Sequence, residues 1–120
     1  MKALIVDDSP MMRTLIRRAA EKRGLEVAEA GNYDETISTF ASYQPDIVFL
    51  DIIMDTKRSG IEALKHIKSE KPDTTVVMVT SVSNQERIVK ECIDYGAEEY
   101  VNKPFKEGEL LDIIDSIMKG

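Results

Sequence analysis

Five polar side chains that could carry chemistry stand at the ends of short apolar runs. In chain order they are Asp7, Asp8, Asp51, Thr80 and Lys103. The runs before them are Ala3–Val6, Ile47–Leu50, Val76–Val79 and Glu99–Val101. If these runs are neighbouring parallel strands about 4.8 Å apart, their carboxyl ends meet at one edge of a sheet. We therefore predict that three carboxylates, one hydroxyl and one ammonium group converge there, the long lysine stem spanning the widest gap.

This combination of groups suits a divalent cation and a phosphoryl group. Clustered carboxylates raise one another's pKa, so such a cluster is costly unless a cation occupies it. Mg²⁺, with Mn²⁺ as a substitute, binds one or two carboxylates, keeps several waters and accepts phosphate oxygens. Phosphoryl transfer needs mainly positioning and charge neutralisation, which the metal, Lys103 and Thr80 would supply. Asp51, in the middle, is the predicted nucleophile.

The elements that would position these groups are predicted to alternate between strands and helices. Short Val- and Ile-rich runs are typical of strands buried on both faces, and a weaker run, Leu25–Ala30, completes the set. Ser9-Pro10 predicts a helix start, and Gly24 and Gly96 predict helix ends. Five βα units in a row predict an α/β, doubly wound, five-stranded parallel sheet of order 2-1-3-4-5. The alternative, half of an eightfold barrel, fails because the chain is too short to close one.

Length and charge limit the classes of function. The chain has 120 residues, which predicts one domain over residues 1–120. The net charge of −6 argues against nonspecific binding to nucleic acid or to anionic membrane surfaces. No apolar run approaches the ~20 residues that a membrane span needs, so we expect no membrane insertion. Because there is one cysteine, Cys92, and the apolar start is too short for a signal peptide, we expect a cytoplasmic protein. We expect a monomer, or a weak dimer on phosphorylation.

The motif set resembles the receiver domains of two-component response regulators over nearly the whole chain. The motifs that carry the resemblance are Asp7-Asp8, Asp51-Ile52-Ile53-Met54, Thr80-Ser81 and Lys103-Pro104-Phe105. Each motif alone is weak, but together, at the ends of the expected strands, they are specific. A single-domain, chemotaxis-type regulator is one case that the resemblance includes.

The resemblance implies a phosphoacceptor Asp51 that receives its phosphoryl group from a phosphohistidine on a sensor histidine kinase. It implies Mg²⁺ ligation by Asp8, Asp51 and the backbone carbonyl of Ile53, with Asp7 acting through water. Lys103 would pair with the phosphoryl group, and Thr80 and Tyr100 would move inward together. The switched surface would be helix 4, strand 5 and helix 5, recognised by a downstream protein effector whose identity is unknown. The Lys103–Pro104 bond is expected to be cis.

The sequence departs from the family pattern after the second aspartate motif. Asp55 stands where these domains usually have proline, and the loop up to Ser59 is one residue longer than usual. Ile53 and Val82 take the positions that flank the path of an attacking water in this family. Because both are β-branched and apolar, we predict slow self-dephosphorylation, which Ile53→Asn with Val82→Glu should accelerate.

Simpler interpretations exist for each residue taken alone. The Asp7-Asp8 pair could be a solvated turn, Thr80 a strand-end hydroxyl and Lys103 an ordinary surface lysine. Tyr100 could only pack on an edge strand, and we interpret His66 as solvated and Cys92 as a small core residue. Three further side chains on the first helix form either a solvated face or part of a kinase-docking surface. They are Arg13, Arg17 and Arg18.

Four functions compete at this point. The chain stops soon after the fifth predicted helix, so we expect a stand-alone, self-phosphorylating switch that is not an enzyme in the usual sense. The second is a receiver excised from a larger regulator, such as a transcription factor or signalling enzyme. A haloacid dehalogenase-type phosphatase would need an Asp-x-Asp pair, whereas Asp7 and Asp8 are adjacent. A flavin-binding module would need a Ser/Thr/Gly-rich loop where Ser9-Pro10-Met11-Met12 stands.

Overall fold

The computed structural model describes residues 1–54, 59–81 and 86–119. Strands and helices alternate throughout this described part of the chain. The strands are β1 (Lys2–Val6), β2 (Glu26–Ala30), β3 (Ile47–Asp51), β4 (Thr75–Thr80) and β5 (Glu99–Asn102). The helices are α1 (Pro10–Lys22), α2 (Tyr33–Tyr43), α3 (Ser59–Glu70), α4 (Glu86–Asp94) and α5 (Glu107–Lys119).

The strands form one parallel sheet of order β2-β1-β3-β4-β5, which confirms the predicted topology. Its register places Val6 beside Leu50, Asp51 beside Val79, and Thr80 beside Asn102. The carboxyl ends of β1, β3, β4 and β5 are therefore consecutive along one edge. This edge is where an open α/β sheet holds its ligands.

The sheet is covered on both faces because its strands are apolar at odd and even positions alike. Leu4 and Val6 face one core, which they share with buried residues of α2, α3 and α4. Ala3 and Ile5 face the other core, which they share with buried residues of α1 and α5. In β3 every residue is buried, as expected for a strand with helices on either side.

Local sequence signals set the ends of the helices that border the site. Ser9 caps α1, since Met12 N donates to Ser9 Oγ at 3.3 Å, and Pro10 occupies the first turn. Asn32 caps α2 in the same way, because Glu35 N donates to Asn32 Oδ1 at 2.8 Å. Gly24 follows α1 with φ of 78°, a left-handed conformation that favours glycine.

Helix α4 is the least buried of the described helices. Cys92 is the buried residue that it contributes, and it packs in the core, as interpreted from the sequence. The departures at Asp55 and in the following loop, and the prediction for Val82, lie outside the described residues. In the described ranges no helix is long and apolar enough to cross a membrane.

Candidate functional site

The predicted site residues lie together at the carboxyl edge of the sheet. Asp7 comes directly after β1, Asp51 is the last residue of β3, and Thr80 is the last residue of β4. Lys103 comes directly after β5. The parallel sheet thus brings together groups that are almost one hundred residues apart in the chain, such as Asp7 and Lys103.

The three aspartates form a compact oxygen cluster. One carboxylate oxygen from each of Asp7, Asp8 and Asp51 lies within 4.8 Å of the others. Asp7 is fully buried and Asp51 is 6% exposed, whereas Asp8 is exposed to solvent. An all-oxygen cluster that is open on one side fits Mg²⁺, which binds carboxylates while keeping several waters.

Lys103 reaches into this cluster from the far side of the sheet edge. Its Nζ donates to Asp7 Oδ2 at 2.7 Å and lies 3.4 Å from Asp51 Oδ2. Burial opposes the ammonium form, but the hydrogen bond to Asp7 and the charge of Asp51 outweigh it and raise the pKa of Lys103. The lysine is therefore charged at neutral pH and offsets part of the carboxylate charge.

Burial dominates the titration of Asp51. It raises the pKa of this carboxyl from 3.8 to about 6, with the Asp7 charge acting in the same direction. The Lys103 charge and the Ile53 backbone N–H, which donates to Asp51 Oδ1 at 3.3 Å, work against the rise. A buried carboxylate with a raised pKa gains stabilisation when a cation approaches it.

The Asp7 side chain is held in a fixed orientation. Ser9 N donates to Asp7 Oδ1 at 2.9 Å, while Lys103 donates to the other oxygen. Asp7 N also donates to Ala30 O of β2 at 3.1 Å. With both side-chain oxygens already engaged, Asp7 is suited to acting on a metal through water, as the family resemblance implies.

The turn after β3 is closely packed against the start of α3. Gly60 N donates to Ile52 O at 2.8 Å, and Met54 N donates to Ser59 Oγ at 3.0 Å. The Ile53 side chain is 40% exposed at the rim of the site. Its roles as carbonyl ligand and as a barrier to water remain predictions.

Thr80 and Tyr100 border a cleft under α4. Thr80 is 1% exposed, and its carbonyl accepts from Lys103 N at 2.7 Å. Tyr100 is 44% exposed and lies at the outer side of the same cleft, which Ile52 and Cys92 also line. The Lys103–Pro104 peptide bond is cis.

Sequence reasoning interpreted one residue of the site, Arg13, only as part of a solvated face or of a kinase-docking surface. Arg13 Nη1 of α1 donates to the backbone carbonyl of Asp7 at 2.6 Å. Arg13 Nε donates to Glu29 Oε1 of β2 at 2.9 Å. The basic stripe on α1 was visible in the sequence, but no local signal pairs it with a glutamate sixteen positions away.

Fold and site together define a class of protein. It is a doubly wound α/β domain with an acidic cluster and a lysine at the carboxyl edge of its sheet. The family model of the response regulator receiver domain matches residues 3–115. Chemotaxis protein CheY of Halobacterium salinarum is 35% identical over 117 residues, which are 98% of this chain and 96% of that protein. The chain therefore belongs to the receiver domains of two-component response regulators and is CheY-like.

Two further comparisons describe the range of relatives. The crystal structure of the receiver domain of NtrX from Brucella abortus superposes with a TM-score of 0.88 at 30% identity, covering 98% of each chain. The phosphate regulon transcriptional regulatory protein PhoB of Escherichia coli is 32% identical over 120 residues, which are 98% of this chain and 52% of PhoB. The family match favours the receiver over the phosphatase and flavin-binding alternatives.

Proposed function

We propose that this chain is a phosphoacceptor switch in which Asp51 takes a phosphoryl group from a phosphohistidine of a sensor histidine kinase. One observation carries the proposal. Asp51 lies in an oxygen cluster with Asp7 and Asp8, and Lys103 Nζ stands between Asp7 and Asp51. Membership of the receiver family supports the same assignment.

In the proposed step, an Asp51 carboxylate oxygen forms a bond to phosphorus while the bond from phosphorus to the histidine nitrogen breaks. With the other ring nitrogen of the phosphohistidine protonated, the products are an acyl phosphate on Asp51 and a neutral imidazole on the kinase. Mg²⁺, held by Asp8, Asp51 and the Ile53 carbonyl with Asp7 acting through water, would supply charge neutralisation for the phosphoryl oxygens. Mn²⁺ could replace it.

The protein side chains around Asp51 have distinct tasks in this proposal. Lys103 is already charged and within 3.4 Å of Asp51 Oδ2, so it can move its ammonium group onto a phosphoryl oxygen. The Thr80 hydroxyl, on the neighbouring strand end, would donate to another phosphoryl oxygen. Its displacement would leave room in the cleft for Tyr100 to turn inward.

The signal would leave through the surface of α4, β5 and α5. Helix α4 buries few of its residues, so a small displacement at Thr80 can shift its position at low cost. A downstream protein that binds one position better than the other would read the change. The acidic chain, with a net charge of −6, is not expected to bind nucleic acid or membranes, and we place it in the cytoplasm as a monomer or a weak, phosphorylation-dependent dimer.

Incubation with acetyl phosphate and MgCl₂ tests the proposal. Intact mass should show the addition of one phosphoryl group, and EDTA present from the start of the reaction should prevent this addition. Asp51→Asn should abolish the addition. Asp46→Asn, the same change just before the other end of β3, where the Asp46 carboxylate accepts from Lys2 N, should leave the addition intact. Equal labelling of Asp51→Asn and wild type, or repeated turnover of a small phosphomonoester, contradicts the proposal of a switch that is not an enzyme.

A second candidate is the same switch as the input domain of a longer regulator. The match to PhoB favours it, because that relative continues well beyond the 52% of its length that matches here. Reading the gene past codon 120 separates the two candidates. A stop codon there leaves the stand-alone switch, and a continuing open frame establishes the longer regulator.

A further inference from the structure

The guanidinium group of Arg13 holds the peptide that joins the two adjacent aspartates of the site. We propose that Arg13, itself fixed by Glu29, is a positioning residue that sets the orientation of the Asp7–Asp8 peptide for Mg²⁺ binding. This inference rests on the proposed function, because it concerns the same metal site.

Two different nitrogens of one planar group make the contacts. Arg13 Nη1 donates to Asp7 O at 2.6 Å, and Arg13 Nε donates to Glu29 Oε1 at 2.9 Å. Since a guanidinium is rigid and planar, fixing Nε on the glutamate fixes the direction of Nη1 as well. The arginine side chain is 20% exposed, so the contact to the carbonyl is shielded from competing water.

The held carbonyl matters because it belongs to the same peptide plane as the Asp8 nitrogen. Side-chain hydrogen bonds already orient the Asp7 carboxylate. In the part of the chain that the structure describes, no hydrogen bond holds the Asp8 carboxylate, so its direction follows from its backbone. Through this peptide, Arg13 therefore acts on the one predicted direct carboxylate ligand whose side chain has no hydrogen bond among the described residues.

Gly31 leaves the space that this contact needs. A Cβ atom at residue 31 would lie 3.2 Å from Arg13 Nη1 and 3.9 Å from Asp7 O. Gly31 N in turn donates to Glu35 Oε1 at 2.8 Å. The loop after β2 thus passes close to the arginine and carbonyl without displacing either of them.

Arg17, one helical turn further along α1, provides a matched comparison. Its Nε donates to the other oxygen of the same glutamate, Glu29 Oε2, at 2.6 Å. Its side chain is 34% exposed, and its other partner is Glu21, so it does not reach Asp7. Replacing either arginine removes one positive charge and one contact to Glu29, but only replacement of Arg13 frees the Asp7 carbonyl.

The sign of the effect separates positioning from simple electrostatics. Removing a positive charge near three carboxylates should strengthen the binding of a divalent cation if charge alone matters. Loss of a group that orients a metal ligand typically weakens metal affinity by about 10- to 100-fold. A weaker Mg²⁺ affinity in a variant that lacks a cation is therefore evidence of positioning.

Isothermal titration of the full chain with MgCl₂ tests the inference, using wild type, Arg13→Gln, Arg13→Lys and Arg17→Gln. We expect Arg13→Gln to raise the Kd for Mg²⁺ about tenfold, and Arg17→Gln to change it by less than about twofold. Arg13→Lys keeps the charge but lacks the rigid planar fork through which the Nε contact fixes the direction of Nη1, so its Kd should also rise. Thermal denaturation by circular dichroism reports whether each variant is folded. If Arg13→Gln is unfolded, Arg13→Lys replaces it as the test variant.

A metal-free measurement accompanies the titration. Without Mg²⁺, the Ser9 amide, which donates to Asp7 Oδ1, should exchange its hydrogen faster in Arg13→Gln than in Arg17→Gln. Unchanged or tighter Mg²⁺ binding by Arg13→Gln, or an equal loss in Arg17→Gln, overturns the inference while leaving the proposed function intact. If wild type itself binds no Mg²⁺, the inference and the proposed metal site both fail.

Discussion

Asp51 combines two demands that oppose each other at the scale of a single residue. A buried carboxyl is easier to keep neutral, yet a nucleophile must be ionised. The nearby ammonium of Lys103 and the open, acidic surroundings that attract a cation resolve this conflict. The carboxylates of the site therefore repel one another in the metal-free protein, and a bound cation relieves this repulsion.

A pH dependence of stability follows from the raised pKa of Asp51. Its value is about 6 in the folded protein against an ordinary 3.8. A carboxyl whose pKa rises on folding contributes its stability below the unfolded value, and that contribution is lost as the pH rises through the folded value. Without metal, in EDTA, wild type should therefore lose stability relative to Asp51→Asn as the pH rises. From about pH 4 to about pH 7, the difference between their unfolding free energies should grow by about 2 kcal/mol, after allowance for solvent screening.

Urea denaturation of both proteins at a series of pH values measures this difference. Groups other than Asp51 titrate alike in the two proteins, so most of their contributions cancel. A difference that stays constant over the range would show that Asp51 titrates near its ordinary pKa.

The residues with site chemistry could be predicted from the sequence because strand ends are easy to locate. Asp7, Asp51 and Thr80 each end an apolar run, and the topology rule for α/β sheets brings such ends together. The contact of Arg13 with Asp7 O could not be predicted, because it depends on how α1 packs beside β2. Side-chain contacts between separate elements leave no pattern along one chain.

At the scale of elements, the join between β3 and α3 sets how accurately Asp51 is placed. A Cβ at Gly60 would lie 2.0 Å from Asp51 O and 2.5 Å from Ile52 Cα. Both atoms belong to the backbone at the end of β3, one in its last residue and one in the residue that follows. A side chain at this position must therefore push α3 away from the strand end.

We predict that Gly60→Ala destabilises the protein by about 3 kcal/mol and weakens Mg²⁺ binding. Gly108→Ala, in α5 with no atom within 4 Å of the added Cβ, should leave stability unchanged or slightly higher. Chemical denaturation and a Mg²⁺ titration of both variants provide the measurement. Wild-type stability in Gly60→Ala would mean that the strand end and α3 are not in close contact.

Elements and topology were largely predictable, because each rests on a local signal. Val- and Ile-rich runs marked the strands, Ser9-Pro10 the start of α1, and Gly24 its end. The strand boundaries differ from prediction by about one residue, as with β4, which includes Thr75 and Thr80. The packing of α4 has no such signal, since its apolar residues fit either a core or a surface for partners.

At the scale of the whole molecule, the sheet lies between two apolar layers. The site lies at the carboxyl edge of this sheet, where Asp8 is open to solvent. Ion pairs such as Arg23–Asp115 and Lys22–Glu107 join α1 to α5 on one side. Such exposed pairs contribute little, so the buried layers supply most of the stability. A cation bound at the site would change the charge there and so change the stability of the folded protein.

We predict that Mg²⁺ stabilises the whole domain by linkage. A cation that binds only the folded state and is present at about ten times its Kd should add about 1.4 kcal/mol, which corresponds to a rise in Tm of about 4–6 °C. Asp8→Asn should lose most of this rise. Thermal denaturation in MgCl₂ and in NaCl of matched ionic strength checks it, and an equal rise in both salts would show a general ionic effect.

Mapping the phosphorylated residue is the most direct test of the central claim that Asp51 is the phosphoacceptor. After incubation with acetyl phosphate and MgCl₂, borohydride reduces an acyl phosphate on aspartate to homoserine, which peptide mass spectrometry locates. The account predicts homoserine at residue 51 in wild type and none in Asp51→Asn. Homoserine at residue 7 or 8, or phosphate found on His66 instead, would contradict it.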